Sequence, residues 1–281
     1  MKHEAHIIPR EEWTDADNIY EKLLEEDDRM SKYYTFVDIE TTGLDYRADQ
    51  IIEIAALKTD GERLLSVFHT LVKLGEFYEL TPEISELTGI KQEDLANGMD
   101  ESETTERFMR FAGDSIIVAH NAPFDLSFIY GMLPYFDDSV RPEFICTRAM
   151  SFLENPFKSA SLAESCKRHK IPVVGHHRAL TDALMTFELF KILREKLDAK
   201  GIDYQNVVID SEERPLNYIP VGAKVINAEK FRAKLEEKEE QWIAEKFGNI
   251  LSDPNKKYFT KPDGMTHKEF MEKLMREAKR S

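Results

Sequence analysis

The stretch Tyr34-Thr35-Phe36-Val37-Asp38-Ile39-Glu40-Thr41-Thr42-Gly43 decides the fold. It is rich in β-branched and aromatic residues and ends at a glycine, so it reads as a strand running into a turn. Side chains alternate across a strand, which sends Asp38 and Glu40 to the same face. Two like charges side by side in an otherwise apolar strand repel each other and cost stability. A divalent cation between them would remove that cost. Carboxylate oxygens suit hard ions such as Mg²⁺ or Mn²⁺, and with only two cysteines in the chain a thiolate site is not expected.

Working outward, residues 51–59 and 62–72 read as two further strands joined at Asp60-Gly61, a strong hairpin signal. Helical stretches follow around 82–88 and 101–112. Then come the strand SIIVAH, a helix from Pro123, a short strand in EFICT, a helix from Ser161 and a long helix ending at Leu197. Strands first, then strands alternating with helices, predict an α/β fold with a mixed sheet flanked by helices.

Two more blocks carry chemistry. The apolar run before His120 and Asn121 reads as a buried strand opening onto a site at its C-terminal end. Pro123 fits the first position of the next helix, placing Asp125 in its first turn, where the helix dipole favours an anion. Asp125 is therefore either a site carboxylate or a simple helix cap. In the last block, Leu180, Ala183, Leu184, Phe187, Phe190, Leu193 and Leu197 have the spacing of one buried helix face. Asp182 sits beside that face in the first turns. His177 precedes the helix in a loop, as suits a general base, since an imidazole ordinarily titrates near neutrality. His176, one residue earlier, reads as its surface neighbour.

The blocks DIETTG, HNAPFD and HRALTD, in this order, resemble the DEDDh group of 3′→5′ exonucleases. This DnaQ-like family has a ribonuclease-H-like fold and includes proofreading subunits of replicative polymerases. The resemblance covers residues 33–199. It implies that Asp38, Glu40, Asp125 and Asp182 hold two metal ions, Mg²⁺ or Mn²⁺, and that His177 deprotonates the attacking water. It also implies substrate contacts. Thr41 and Thr42 would lie beside the terminal nucleotide, Leu44 would wedge against the last base, and His120 and Asn121 would border the scissile phosphate. Each also has a local reading: the threonines extend a strand and Asn121 caps a helix. Two departures bear on substrate preference. Arg178 stands where many relatives have a small residue, and Cys146-Thr147 where Asp-Thr is frequent.

The formal net charge of −15 argues against a strongly basic nucleic-acid clamp. The acidity is uneven: residues 1–32 carry 5 basic and 10 acidic side chains, whereas residues 200–281 carry 16 and 15. Binding is then expected to be local, through metals, end nucleotides and, at most, Lys167, Arg168 and Lys170, which read equally as a solvated helix face. No stretch is long and apolar enough to span a membrane, and the first residues lack the apolar run of a signal peptide, so a cytoplasmic protein is expected. Cys146 and Cys166 are then expected to be reduced and unpaired.

Outside the resemblance, Thr14–Leu24 reads as a short amphipathic helix in an N-terminal extension, residues 1–32. A C-terminal extension, residues 200–281, is expected to be mainly helical. Asn227 would cap a helix bearing Phe231, Leu235, Trp242, Ile243 and Phe247, and Thr266 with Glu269 forms a capping-box pattern before Phe270 and Leu274. That tail could cover the core, dock a polymerase or replication partner, or extend a nucleic-acid track. If catalysis resides in residues 33–199, a chain ending near Lys200 should stay active.

Three functional readings follow. The first is a 3′→5′ exonuclease on single-stranded DNA ends, in proofreading or repair. The second keeps the chemistry and changes the polymer to RNA, as in 3′-end trimming. The third is a non-catalytic scaffold that binds nucleic acid or a polymerase, which the complete set of four carboxylates disfavours.

Overall fold

A computed structural model describes residues 33–131, 143–173 and 177–238, together with residues 265 and 269. Five strands form one sheet: β1 (Tyr34–Thr41), β2 (Ile51–Thr59), β3 (Leu64–Leu71), β4 (Ile116–Ala119) and β5 (Phe144–Cys146). Their order is β3-β2-β1-β4-β5. The first three pair antiparallel, whereas β4 pairs parallel with β1 and β5 parallel with β4. This is the mixed sheet the sequence implies. The β2–β3 turn falls at Asp60-Gly61, where the Asp60 carboxylate accepts the amides of Glu62 and Arg63 at 3.0 and 2.7 Å. Gly61 adopts φ +90°, a conformation open to glycine at little cost.

Helices cover both faces. Even-numbered residues of β1 meet α7 (Ala179–Asp198), with Phe36 at 5.0 Å from Phe187 and 5.2 Å from Phe190 between ring centroids. Odd-numbered Val37 and Ile39 face the opposite core with Phe108 of α3 (Glu101–Ala112) and Leu126 and Phe128 of α4 (Ala122–Gly131). Asp38 and Glu40 thus project toward α7, the helix that carries Asp182. Two short helices, α1 (Pro82–Thr88) and α2 (Gln92–Leu95), lie between β3 and α3.

Three local differences have physical causes. Helix α4 begins at Ala122, one residue before Pro123, so the proline occupies the second helical position, still short of the turn where its missing N–H matters. Helix α5 (Thr147–Glu154) follows β5 directly and buries Ala149, Met150 and Phe152; its eight residues are too few for a clear sequence period. On α7, Leu184 is 40% exposed, while Met185, Thr186 and Leu189 turn inward. Helix α6 (Leu162–Arg168) starts as expected, Ser161 Oγ accepting the Glu164 amide at 3.4 Å.

The tail beyond residue 200 differs more. Its described part first forms two parallel strands, β6 (Val207–Asp210) and β7 (Lys224–Asn227), and enters a helix, α8 (228–238), only after them. Asn227 does cap that helix, its Oδ1 accepting the Lys230 amide at 3.0 Å. Asn206 docks the tail on the edge of the main sheet: its side chain accepts the Phe144 amide at 2.9 Å and its amide donates to the Phe144 carbonyl at 3.0 Å. Val207, Val208, Ile209 and Ala228 belong to the same apolar core as Val37 and Phe128, and Phe231 stacks 5.5 Å from Phe152. Of the uses weighed for the tail, this part covers the core, and a boundary at residue 199 would cut through packed side chains. Trp242, Ile243, Phe247, Thr266, Phe270, Leu274 and the segment Thr14–Leu24 lie outside the described residues. Among the described residues no helix is long and apolar enough to cross a membrane, and Cys146 and Cys166 are buried free thiols.

Candidate active site

The carboxyl end of β1 runs past its last pairing with β4, Phe36 opposite Val118, and this opening exposes Asp38 and Glu40 to a cavity of about 390 Å³. Asp125 enters from the first turn of α4 and Asp182 from the first turn of α7. His177 lines the same cavity from the segment before α7, with φ +69°, a left-handed conformation costly for a residue with a side chain. All five sequence-predicted residues therefore meet in one place. His176 lies outside the described residues.

Carboxylate oxygens of Asp38, Glu40 and Asp182 lie within 4.8 Å of one another. Burial, then repulsion from Asp125, Asp182, Glu40 and Glu53, pushes the Asp38 carboxyl well above its usual range. Glu40 is pushed up to about 8 by burial and by Asp182, Glu53 and Asp125, with Arg178 opposing. Asp125 is also pushed up to about 8 by burial, against the amides of Asp125 itself and Ile39 that favour its charge. A converging, oxygen-only donor set whose members destabilise one another's charge fits a divalent cation, whose own charge would reverse the penalty.

Sequence reasoning missed the group that organises this centre. Glu53 of β2 is fully buried and stands directly across from Glu40 in the β1–β2 register. Arg178 forks onto it, Nη2 to Oε1 at 2.7 Å and Nε to Oε2 at 3.1 Å. Glu53 also takes the first amide of α7, from Ala179, at 3.0 Å, and contacts His69 Nε2 at 2.8 Å. Burial raises the Glu53 carboxyl, but the hydrogen bonds from Arg178, His69 and Ala179 more than offset it and leave it below the usual range. Arg178 thereby pins the start of α7, and with it His177 and Asp182, to the sheet. A glutamate inside the apolar run IIEIAALKT was the available signal, because a buried charge needs a partner.

The expected substrate contacts divide. His120 and Asn121 line the cavity. His120 is held by protein at both ring nitrogens, Nε2 at 2.9 Å from the Ala160 carbonyl and Nδ1 at 2.9 Å from Thr147 Oγ1, which also explains the work of Thr147. Leu44 is 78% exposed and lines an adjoining cleft with Asn121 and Tyr218. Thr41 and Thr42 are not brought to the cavity wall. Their hydroxyls close the following turn, Thr41 donating to the Gly43 carbonyl and Thr42 to Asp49 Oδ1 at 3.1 Å. A Cβ at Gly43 would stand 2.5 Å from the Asp49 carboxylate and would push that side chain off its bond to Thr42. In the basic cluster, Lys167 pairs with Glu164, and Arg168 donates to the Ser159 carbonyl and approaches Glu154; neither lines the cavity. The wall includes one cation from the tail, Arg214, which the sequence did not single out.

The family described as Exonuclease (RNase_T) matches residues 35–190, more than half of the chain and all five converging residues. The chain belongs to the exonuclease family. This exonuclease-family chain is 32% identical over 185 residues to DNA polymerase III subunit epsilon of Aquifex aeolicus, covering 64% of this chain and 91% of that protein. It is 35% identical over 206 residues to the PolC-type DNA polymerase III of Thermotoga maritima, and 34% over 195 residues to that of Bacillus subtilis. Those matches span 71% and 68% of this chain but only 14% and 13% of the polymerases. In fold it resembles E. coli Exonuclease I solved with a dA16 oligonucleotide, with a TM-score of 0.54 at 17% identity, over 60% of this chain and 42% of that one. The exonuclease family generally uses divalent metals, in keeping with the acidic cluster.

Proposed function

We propose that the chain is a metal-dependent 3′→5′ exonuclease that releases 5′-mononucleotides from single-stranded DNA ends, in proofreading or repair beside a replicative polymerase in the cytoplasm. The observation that carries this reading is the convergence of Asp38, Glu40, Asp125, Asp182 and His177 on one cavity. The four carboxylates would hold two divalent ions, Mg²⁺ or Mn²⁺. Ions bound there would supply activation of the attacking water and stabilisation of the leaving 3′-oxygen. His177 would take the proton from that water, its ring aimed by the Arg178–Glu53 fork that follows it in the chain. Leu44 stands at the rim, where an exposed leucine suits a wedge against the terminal base. Asn121 and His120 would border the scissile phosphate, His120 by holding the 160–161 segment in place. Thr41 and Thr42 would shape the turn beside the terminal nucleotide. DNA as the polymer is supported by the relatives, which are DNA polymerase III components, and by the oligonucleotide in the E. coli structure.

The test is digestion of 5′-labelled single-stranded DNA, duplex DNA and RNA by the purified protein with Mg²⁺ or Mn²⁺. Stepwise shortening of single-stranded DNA with release of 5′-mononucleotides is expected, and Asp38→Ala should abolish it. Full activity in excess chelator, or in Asp38→Ala, would contradict the assignment. Faster digestion of RNA would move the substrate to the second polymer.

A further inference from the structure

Beside the candidate active site lies a second cavity of about 290 Å³, and the two share Ser161 and Arg214. The second cavity sits between α5, the segment before α6, and the tail. Its charge runs against the composition of the whole chain. In a protein of formal charge −15, four cationic side chains, Arg148, Lys158, Arg214 and Arg232, face it against a single acid, Glu213.

These cations are not equivalent. Arg232 is a wall element, with Nε donating to the Pro156 carbonyl at 2.8 Å and the guanidinium 5.4 Å from the Phe152 ring. Arg148 is more than nine-tenths buried, yet it rests on one backbone carbonyl, Ile209, at 3.2 Å. No carboxylate lies within ion-pair distance of Arg148 or Arg214 among the described residues. A buried guanidinium with no carboxylate in contact is costly: burial and Arg214 lower the affinity of Arg148 for its proton, only partly offset by Cys146, Glu213 and Asp210. An anion placed between the two would relieve that cost. The backbone of Arg214 is held in a tight turn, its amide donating to Ser211 Oγ at 3.2 Å, so its guanidinium starts from a fixed point. Phe157, 48% exposed, adds an aromatic surface at the same mouth. Arg214 also borders the cleft that contains Leu44, and so it lines each of these three openings.

We infer that this second cavity is a subsite for a backbone phosphate of the single strand, upstream of the scissile linkage, bound by Arg214 and Arg148. The inference rests on the nuclease reading of the neighbouring site for its direction. Phosphate is the chemistry a guanidinium pair recognises, and Phe157 offers a stacking surface for an adjacent base. The tail would then supply one of the contacts that keep the strand engaged while its end is cut, a role absent from residues 33–199 alone.

The experiment uses the full chain and three proteins: wild type, Arg214→Ala and, as a charge control, Arg110→Ala on α3, which lines none of these cavities. Losing a charged hydrogen bond to phosphate should raise KM for an oligothymidylate roughly tenfold or more with kcat nearly unchanged. The slope of log affinity against log salt should become shallower by about 0.7, the value for one contact to a single strand. A series of oligonucleotides carrying one neutral methylphosphonate linkage each should show a KM penalty at one upstream position in wild type. That penalty should shrink in Arg214→Ala, which leaves Arg148 as the one remaining cation of the pair. Binding of the labelled strand in chelator reads the same pocket without cleavage. If wild type binds in this pattern but cuts nothing, the nuclease reading fails and the subsite stands. An unchanged KM and salt slope in Arg214→Ala overturns the subsite, as does a methylphosphonate penalty identical in both proteins. A released 5′-mononucleotide that competes only when Arg214 is present, with no linkage-specific penalty, would assign the pocket to product and also overturn the inference.

Discussion

Replacing Arg178 by alanine tests the link between the buried charge and the site. Glu53 has no exposed surface, and the substitution removes both arms of the fork while leaving the Ala179 amide and His69. Breaking a fully buried pair costs about 3–5 kcal/mol. The Arg178 side chain is 45% exposed, so water can enter from its side and the lower end, about 3 kcal/mol, applies. For a folded unit of this size that corresponds to a fall in thermal midpoint of roughly 6–12 °C. The pH dependence has a definite sign. The folded Glu53 carboxyl lies below its usual range, so its contribution is present above the unfolded value, about 4.5, and is lost as pH falls through the folded one. The gap between wild type and Arg178→Ala should therefore be full at neutral pH and narrow below about pH 4.5. Circular dichroism melts across pH give the stability, and single-turnover digestion gives the catalytic cost of a displaced α7 start. In a double-mutant cycle with Glu53→Gln the two changes should be strongly non-additive. A drop of less than about 2 °C, or simple additivity, would refute the positioning role of the pair.

Other consequences are open to measurement. His177→Ala should lose on the order of 10²–10⁴ in rate while Mn²⁺ affinity survives, and His176→Ala should be nearly silent; collapse of metal affinity in the first variant would make His177 a ligand instead. Because Glu40 and Asp125 are pushed up to about 8 when folded, the metal-free protein holds protons that the unfolded chain has released, so its melting point should fall as pH rises from 5 to 8. Mn²⁺ should restore more of it at pH 8 than at pH 6; a metal-free melting point flat in pH would contradict the site electrostatics. A chain ending at Lys200 would lose Val207, Val208 and Ile209 from the core, roughly 5–9 kcal/mol at 1.5–3 per side chain, comparable with the whole stability of a domain. Such a chain should fail to fold, reversing the expectation of an active fragment, and a cooperative melt with retained activity would show that the tail's packing is dispensable.

The parts of the fold legible in the sequence are those set by local periods. Alternation in β1 placed Asp38 and Glu40 on one face, the Asp60-Gly61 turn placed the hairpin, and the spacing of Phe187, Phe190 and Leu193 placed α7. Less was legible where position depends on distant pairing. The run VVID is long enough for a strand, but its place at the sheet edge depends on distant partners, the two Asn206 bonds to Phe144 and the core that Val207, Val208 and Ile209 enter. Arg214 has no local signal at all, being one arginine in a turn after that strand. Glu53 and Arg178 were legible as two anomalies, an acid in an apolar strand and an arginine where relatives are small. Their partnership was hidden by a separation of 125 positions along the chain.

Those two arginines solve opposite halves of one electrostatic problem. Four carboxylates around a cavity repel each other and also repel any phosphodiester that approaches. Divalent ions can offset the first repulsion only if the ligands stay in place without them, and Glu53 with Arg178 supplies that order from the neighbouring strand. Arg178 lies close enough to Glu40 to favour its charge as well, so the cation that fixes α7 also lowers the cost of one site carboxylate. The second repulsion is met by a cation on the tail, Arg214, which lines the cavity itself. A strongly acidic chain can in this way engage an anionic polymer without a basic surface, provided a few cations are placed where the strand passes. The arrangement makes the tail part of the site's electrostatics as well as of its packing, so substitutions at Arg214 and at Ile209 should separate cleanly, the first altering KM and salt dependence, the second altering melting temperature. If both changed only the melting temperature, the tail would be a cover and nothing more.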